Sequence, residues 1–147
     1  MMHFNKENKE VLFLDRRCIE KSQYERNWDC KPDVLLSFTN MHLLPDEHFR
    51  VVIFDPPHFT TKGDANAGSW CNEKYGQMIN WREGLQLGFT ECWRVLQKGG
   101  LLIFKWFDAD RTLSEVLPFA PCLPLVGTRS PNAKSGTHWL HFFKPLG

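Results

Sequence analysis

The residues best suited to chemistry are Asp55-Pro56-Pro57-His58. They follow an apolar run, Val51-Val52-Ile53-Phe54, that reads as a buried strand. Proline lacks an N–H and fixes φ near about −65°, so Pro56-Pro57 cannot continue a paired strand. The residue before a proline is driven towards extended geometry as well. The product is a stiff peptide at the carboxyl end of a strand, where open α/β sheets place ligands. It carries an acid and an aromatic edge. A strand that stops in a proline turn and happens to contain an acid is the plain alternative. A second acid is set up in a similar way. Val11-Leu12-Phe13-Leu14 is another apolar run, and it ends at Asp15. Beside a nucleotide, such an acid can hold ribose hydroxyls; otherwise it is a solvated strand end.

Other reactive residue types give weaker patterns. His138 and His141 are three apart on an expected strand, which puts them on opposite faces and makes a poor metal pair. His3, His42 and His48 are scattered, so no metal site is expected. The five cysteines, Cys18, Cys30, Cys71, Cys92 and Cys122, are odd in number and show no CxxC spacing. Reduced thiols in a cytoplasmic protein are expected.

The chain has 147 residues, 42% of them hydrophobic and 14% aromatic, enough for one domain with a real core. Its formal charge of +1 supplies no whole-protein field that favours nucleic acid, and it leaves a local basic patch open. The opening Met1-Met2-His3-Phe4-Asn5-Lys6 has no apolar signal region, and no apolar run approaches about 18 residues, so no membrane partner is expected.

The remaining elements must position the two acids. Asp33 to Phe38 reads as a third short strand after a polar stretch. A turn from Met41 to Phe49, anchored by Leu44 and Phe49, delivers the chain into the strand before Asp55. Phe59 to Asn80 lacks periodicity and carries Gly63, Gly68 and Gly76 among Lys62, Lys74, Trp70 and Tyr75. Long loops of this kind in compact domains are usually either functional lids or disordered. Aromatics mixed with lysines suit a flat anionic partner such as a nucleotide base with its phosphate, and a solvated loop pinned by Trp70 and Tyr75 is the plain alternative. Asn80 with Glu83 reads as a capping box, and Leu85, Phe89, Cys92, Trp93 and Leu96 share one helical face. Gly99-Gly100 reads as the helix end, followed by a strand from Leu101 to Trp106. Thr112 with Glu115 opens a helix over Leu113 to Leu117, which Pro118, Pro121 and Pro124 break. Leu125 to Gly127 and Thr137 to Phe143 form an expected antiparallel pair of strands.

This order resembles the class I S-adenosylmethionine-dependent methyltransferases. Asp55-Pro56-Pro57-His58 looks like that family's (Asp/Asn)-Pro-Pro-aromatic motif. Glu91 to Ile103 is similar to its "E-x-x-R-V-L-K-P-G-G" junction, with Lys98 at the usual proline. Leu44-Pro45 through Phe49 to Val52 resembles its "L-P-x-x-x-F-D-x-V" approach, with Arg50 in place of the acid. The resemblance implies an α/β fold: a single Rossmann-like domain over 1–147, its mixed sheet mostly parallel with a C-terminal antiparallel hairpin. It also implies a truncation, because no glycine precedes Gly63 and the family's first strand and glycine-rich loop have no counterpart here. That strand lies centrally in the family, so its loss leaves the strands ending at Asp15 and Asp55 either paired directly or separated by a groove.

The resemblance further implies S-adenosyl-L-methionine as cofactor and methyl transfer as the reaction. Asp15 matches the family's ribose-binding acid. Ser37 and Phe38 stand where an adenine contact is made, through backbone or hydroxyl. Asp55 is expected to face the cofactor as well as the methyl acceptor. Asp55 and the Pro56 carbonyl would accept both N–H bonds of an exocyclic amine on a nucleic-acid base, Pro57 would stiffen the turn, and His58 would stack on the base. A base in a duplex would have to be flipped out. Transfer to a small molecule or a protein amide suits the same motif, and a non-catalytic remnant is the third possibility.

Overall fold

The computed structural model describes residues 5, 7–22, 29–60, 73–128 and 136–147. Strands β1 (Leu14–Asp15) and β2 (Val34–Leu35) form a two-stranded parallel sheet. Strands β3 (Phe49–Phe54), β4 (Leu96–Phe107), β5 (Val126–Thr128) and β6 (Thr137–Phe143) form a second sheet in the order β3-β4-β6-β5. β3 runs parallel to β4, whereas β6 is antiparallel to both of its neighbours. The fold is therefore α/β with the expected terminal antiparallel pair. The four-stranded sheet is not mostly parallel, because β6 sits inside it and contributes two antiparallel ladders. Among the described residues, no strand pairing joins the two sheets.

Helix α1 (Trp81–Val95) covers one face of the larger sheet. Its apolar residues recur at intervals of three and four, so Trp81, Leu85, Phe89 and Cys92 share one buried stripe. Opposite them lie Phe54, Leu102, Phe104, Trp106, Leu140 and Phe142, all buried. Phe89 makes ring contacts with Phe54 at 5.2 Å, Phe104 at 4.8 Å and Phe142 at 6.1 Å. Full burial of a side chain of this size contributes about 1.5–3 kcal/mol. Edge-to-face and tilted ring pairs add about 0.5–1.5 kcal/mol each.

Several local expectations shift. Val11 and Leu12 are exposed, and the strand there is confined to Leu14 and Asp15. β2 likewise stops at Leu35, and the chain turns back at Ser37, whose carbonyl accepts the Asn40 N–H. In β3, Val51 and Ile53 are 51% and 50% exposed rather than buried, because they alternate with Val52 and Phe54 and point to the face opposite the core. Asn80 occupies the N-cap of α1 but makes no side-chain cap bond. Thr112 does open the short helix α2 (Leu113–Val116), its N–H donating to the Glu115 carboxylate at 2.8 Å.

The end of α1 departs most from expectation. The helix stops at Val95, before Gly99-Gly100. Its free carbonyls are taken by other segments instead of a glycine cap. Lys144 Nζ donates to the carbonyls of Trp93 at 2.8 Å and Leu96 at 2.7 Å. The N–H groups of Glu47 and His48 donate to Arg94 and Val95, each at 2.9 Å. The glycine pair lies within β4, where Gly99 has φ +75° and the register jumps from Phe49↔Leu96 to Val51↔Leu101. A positive φ there loops out the extra residues at low steric cost.

Glu91 and Arg94 hold the approach to β3. Arg94 donates to the Met41 and Leu44 carbonyls at 2.9 Å each, and to both Glu91 carboxylate oxygens at 2.7 and 2.9 Å. Glu91 in turn accepts the Met41 N–H at 2.6 Å. Arg94→Ala leaves two carbonyls and a partly buried carboxylate short of donors. It is expected to lower the unfolding free energy by about 2–3 kcal/mol in a urea titration. A change under about 0.5 kcal/mol would show that the backbone bonds of Glu47 and His48 hold the turn without it.

Candidate active site

Asp55 leaves the carboxyl end of β3 one residue beyond Phe54, which is paired with Phe104. That register places Asp55 beside Lys105 of β4. Lys105 Nζ lies 3.1 Å from Asp55 Oδ2, and each side chain is 18% exposed. On its other side Lys105 faces Trp139, its pairing partner on β6, with Nζ 5.8 Å from the indole centroid. A cation at that range gains modestly from the ring quadrupole.

Pro56 is buried, and Pro57 and His58 are partly buried. His58 sits among three aromatic rings: Phe59 at 4.6 Å, Phe107 at 5.4 Å and Tyr75 at 5.7 Å. Burial pushes the His58 imidazole below its usual range, and the nearby Asp55 charge only partly opposes this. The ring is accordingly neutral at pH 7, and gains its proton only in more acidic solution. Beyond it, the Thr60 N–H donates to Asp110 at 2.8 Å and Arg111 Nε donates to Thr60 Oγ1 at 3.2 Å. The Met78 N–H donates to the Phe59 carbonyl at 2.8 Å. The turn is thus stitched to the end of β4 and to the entrance of α1. Of the long loop after it, residues 61–72 lie outside the described residues, taking with them Lys62, Gly63, Gly68, Trp70 and Cys71.

Asp15 ends β1, and its carboxylate is engaged by Arg17. Arg17 Nε donates to Oδ1 at 3.0 Å, Nη2 donates to Oδ2 at 2.9 Å, and the Arg17 N–H donates to Oδ1 at 2.9 Å. Burial pushes the Asp15 carboxyl up, but these bonds outweigh it, so it is held below the usual range. Arg17 Nη1 donates to the Glu73 carbonyl at 2.6 Å. Gly76 has φ +74°, and a Cβ there would lie 3.1 Å from Pro57 Cγ and 3.6 Å from Arg17 Nη1. Arg17 and Gly76 therefore bring the ends of β1 and β3 together.

Ser37 and Phe38 are placed differently. The Ser37 hydroxyl pairs with the Thr39 hydroxyl at 2.7 Å, and the Ser37 carbonyl accepts the Asn40 N–H at 3.0 Å. The Phe38 ring packs on Phe54 at 5.4 Å and closes over Gly88 of α1. Both residues are committed to a tight turn and to the core, so neither reaches the acids through its side chain here.

Chemically, the site offers a carboxylate, a stiff peptide without N–H groups at Pro56 and Pro57, and a neutral aromatic wall. That combination suits a planar group that presents N–H donors. Lys105, Phe107 and Arg17 belong to it and were not singled out from the sequence. A lone cation inside the apolar run Leu101-Leu102-Ile103-Phe104-Lys105-Trp106 was the available signal. Among the described residues no group of three or more His, Cys, Asp or Glu side chains is gathered to hold a metal. Cys18, Cys30, Cys92 and Cys122 are free thiols. No described helix is long and apolar enough to cross a membrane.

Gly76→Ala forces a side chain into the left-handed region and against Pro57. It is expected to cost about 1–2 kcal/mol of stability and to shift the NMR signals of His58 and Tyr75. Unaltered signals at both rings would show that Gly76 does not join the two ends.

No family model matches the sequence, and no curated protein matches it.

Proposed function

We propose that this chain is a Rossmann-like, S-adenosylmethionine-dependent methyltransferase domain whose acceptor is the exocyclic amino nitrogen of a nucleic-acid base. The observation that carries the reading is Asp55-Pro56-Pro57-His58 at the carboxyl end of β3, walled by Phe59, Tyr75 and Phe107. The strand order supports it as well. The resembled family's sheet, with its first strand left out, reads third-second and then fourth-fifth-seventh-sixth. That is the order of the pair β2-β1 and of β3-β4-β6-β5.

The donor side fits at one residue. Asp15 stands near the Asp55 turn through Arg17 and Gly76, and it would hold ribose hydroxyls once one of its Arg17 bonds gives way. The cofactor supplies a methyl group on a positively charged sulfur. The protein's own work lies on the acceptor. An exocyclic amine is a poor nucleophile because its lone pair is delocalised into the ring. Asp55 and the Pro56 carbonyl accept its two N–H bonds and turn the lone pair out of the ring plane. The carboxylate also opposes the positive charge that develops on nitrogen. Neutral His58 stacks on the base without adding charge.

A non-catalytic remnant is the second reading, favoured by the full engagement of Asp15 with Arg17. A transfer assay separates the two. With labelled methyl donor and a single-stranded oligonucleotide, the chain is expected to label the oligonucleotide. Asp55→Ala is expected to lower the rate by about a thousandfold at unchanged circular dichroism. His58→Ala is expected to lose roughly tenfold through weaker stacking. Equal rates for the parent and Asp55→Ala would overturn the role of Asp55.

A further inference from the structure

We infer that Lys105 is a positioning residue that sets the orientation of the Asp55 carboxylate, an inference that rests on the methyl-transfer reading above. An aspartate at a turn ordinarily fixes its carboxylate on the backbone N–H one or two residues further on. Here those residues are Pro56 and Pro57, which have no N–H. The stiff peptide that suits the acceptor therefore removes the usual local support for its own acid.

Lys105 supplies support from the neighbouring strand. Its Nζ is 3.1 Å from Oδ2, within hydrogen-bond range. The lysine is itself confined. The β3–β4 register fixes its Cα, Phe104 and Trp106 on either side of it are fully buried, and Trp139 stands across the ladder. With 18% of its side chain exposed, it is poorly placed to reach a phosphate backbone in solvent.

Its charge argues for geometry over charge stabilisation. In the transfer, the new N–C bond forms on the amine lone pair as the C–S bond breaks and its electrons stay on sulfur. Positive charge builds on the nitrogen until its proton leaves to water. A second cation beside Asp55 does not favour that step electrostatically. It does hold one carboxylate oxygen so that the group faces the acceptor in one orientation, and misplacement of about 1 Å at such a centre can cost a hundredfold.

The test uses the full chain in the oligonucleotide transfer assay, with Lys105→Met, Lys105→Gln and Lys105→Arg. For Met and Gln, kcat is expected to fall about 10- to 100-fold while KM and its salt dependence stay as in the parent. Arg is expected to recover kcat to within about fivefold, because it restores a donor to Oδ2. A raised KM with a shallower salt dependence and unchanged kcat would make Lys105 a phosphate contact and overturn the inference. Lower thermal stability with unchanged kcat would make it structural only, with the same consequence. A parent chain that transfers no methyl group would sink the functional reading itself, whereas an active parent with indifferent Lys105 variants would sink this inference alone.

Discussion

The parallel register between β3 and β4 is the constraint on which the site depends. Val51↔Leu101, Val52↔Leu102, Ile53↔Ile103 and Phe54↔Phe104 run without interruption to the turn. A slip of one residue would turn Phe54 away from Phe89 and carry Asp55 away from Lys105. The same ladder thus seats the core and aligns the acid. It is pinned at its start by two devices. Arg94 and Glu91 hold the turn from Met41 to Asp46, and the looped-out Gly99 absorbs the register jump before Leu101.

At the far end of the ladder, the proline pair has two opposed effects. It stops β3 and removes N–H groups that would compete for the Pro56 carbonyl. It also leaves the two residues after Asp55 without an N–H to donate. Side chains from other elements make up the difference: Lys105 at the acid, Phe107 and Tyr75 around His58, and Asp110 with Arg111 at Thr60. The candidate site is assembled across β3, β4 and the segment before α1, with β1 joined to it through Arg17.

Much of this was legible in the sequence where a feature is local. Periodicity located the buried face of α1, because burial repeats at three and four residues. The proline pair marked the end of β3, and Thr112 with Glu115 marked the start of α2. The features that escaped are non-local. Lys144 caps α1 from the far end of the chain, so Gly99-Gly100 looked like a helix stop and is a strand irregularity. The pairing of Lys105 with Asp55 depends on register, which a strand pattern does not encode. The packing of Phe38 against Phe54 joins the segment after β2 to the core, a contact that a strand pattern does not encode either.

The central claim is that the acids at the ends of β1 and β3 serve one methyl-transfer site. The most direct measurement is a calorimetric titration of S-adenosylmethionine into the full chain, repeated with Asp15→Ala. Saturable binding with Kd below about 1 mM, weakened at least about tenfold by Asp15→Ala, is the expected result. Absence of binding up to that concentration, or equal affinity in both proteins, would contradict it.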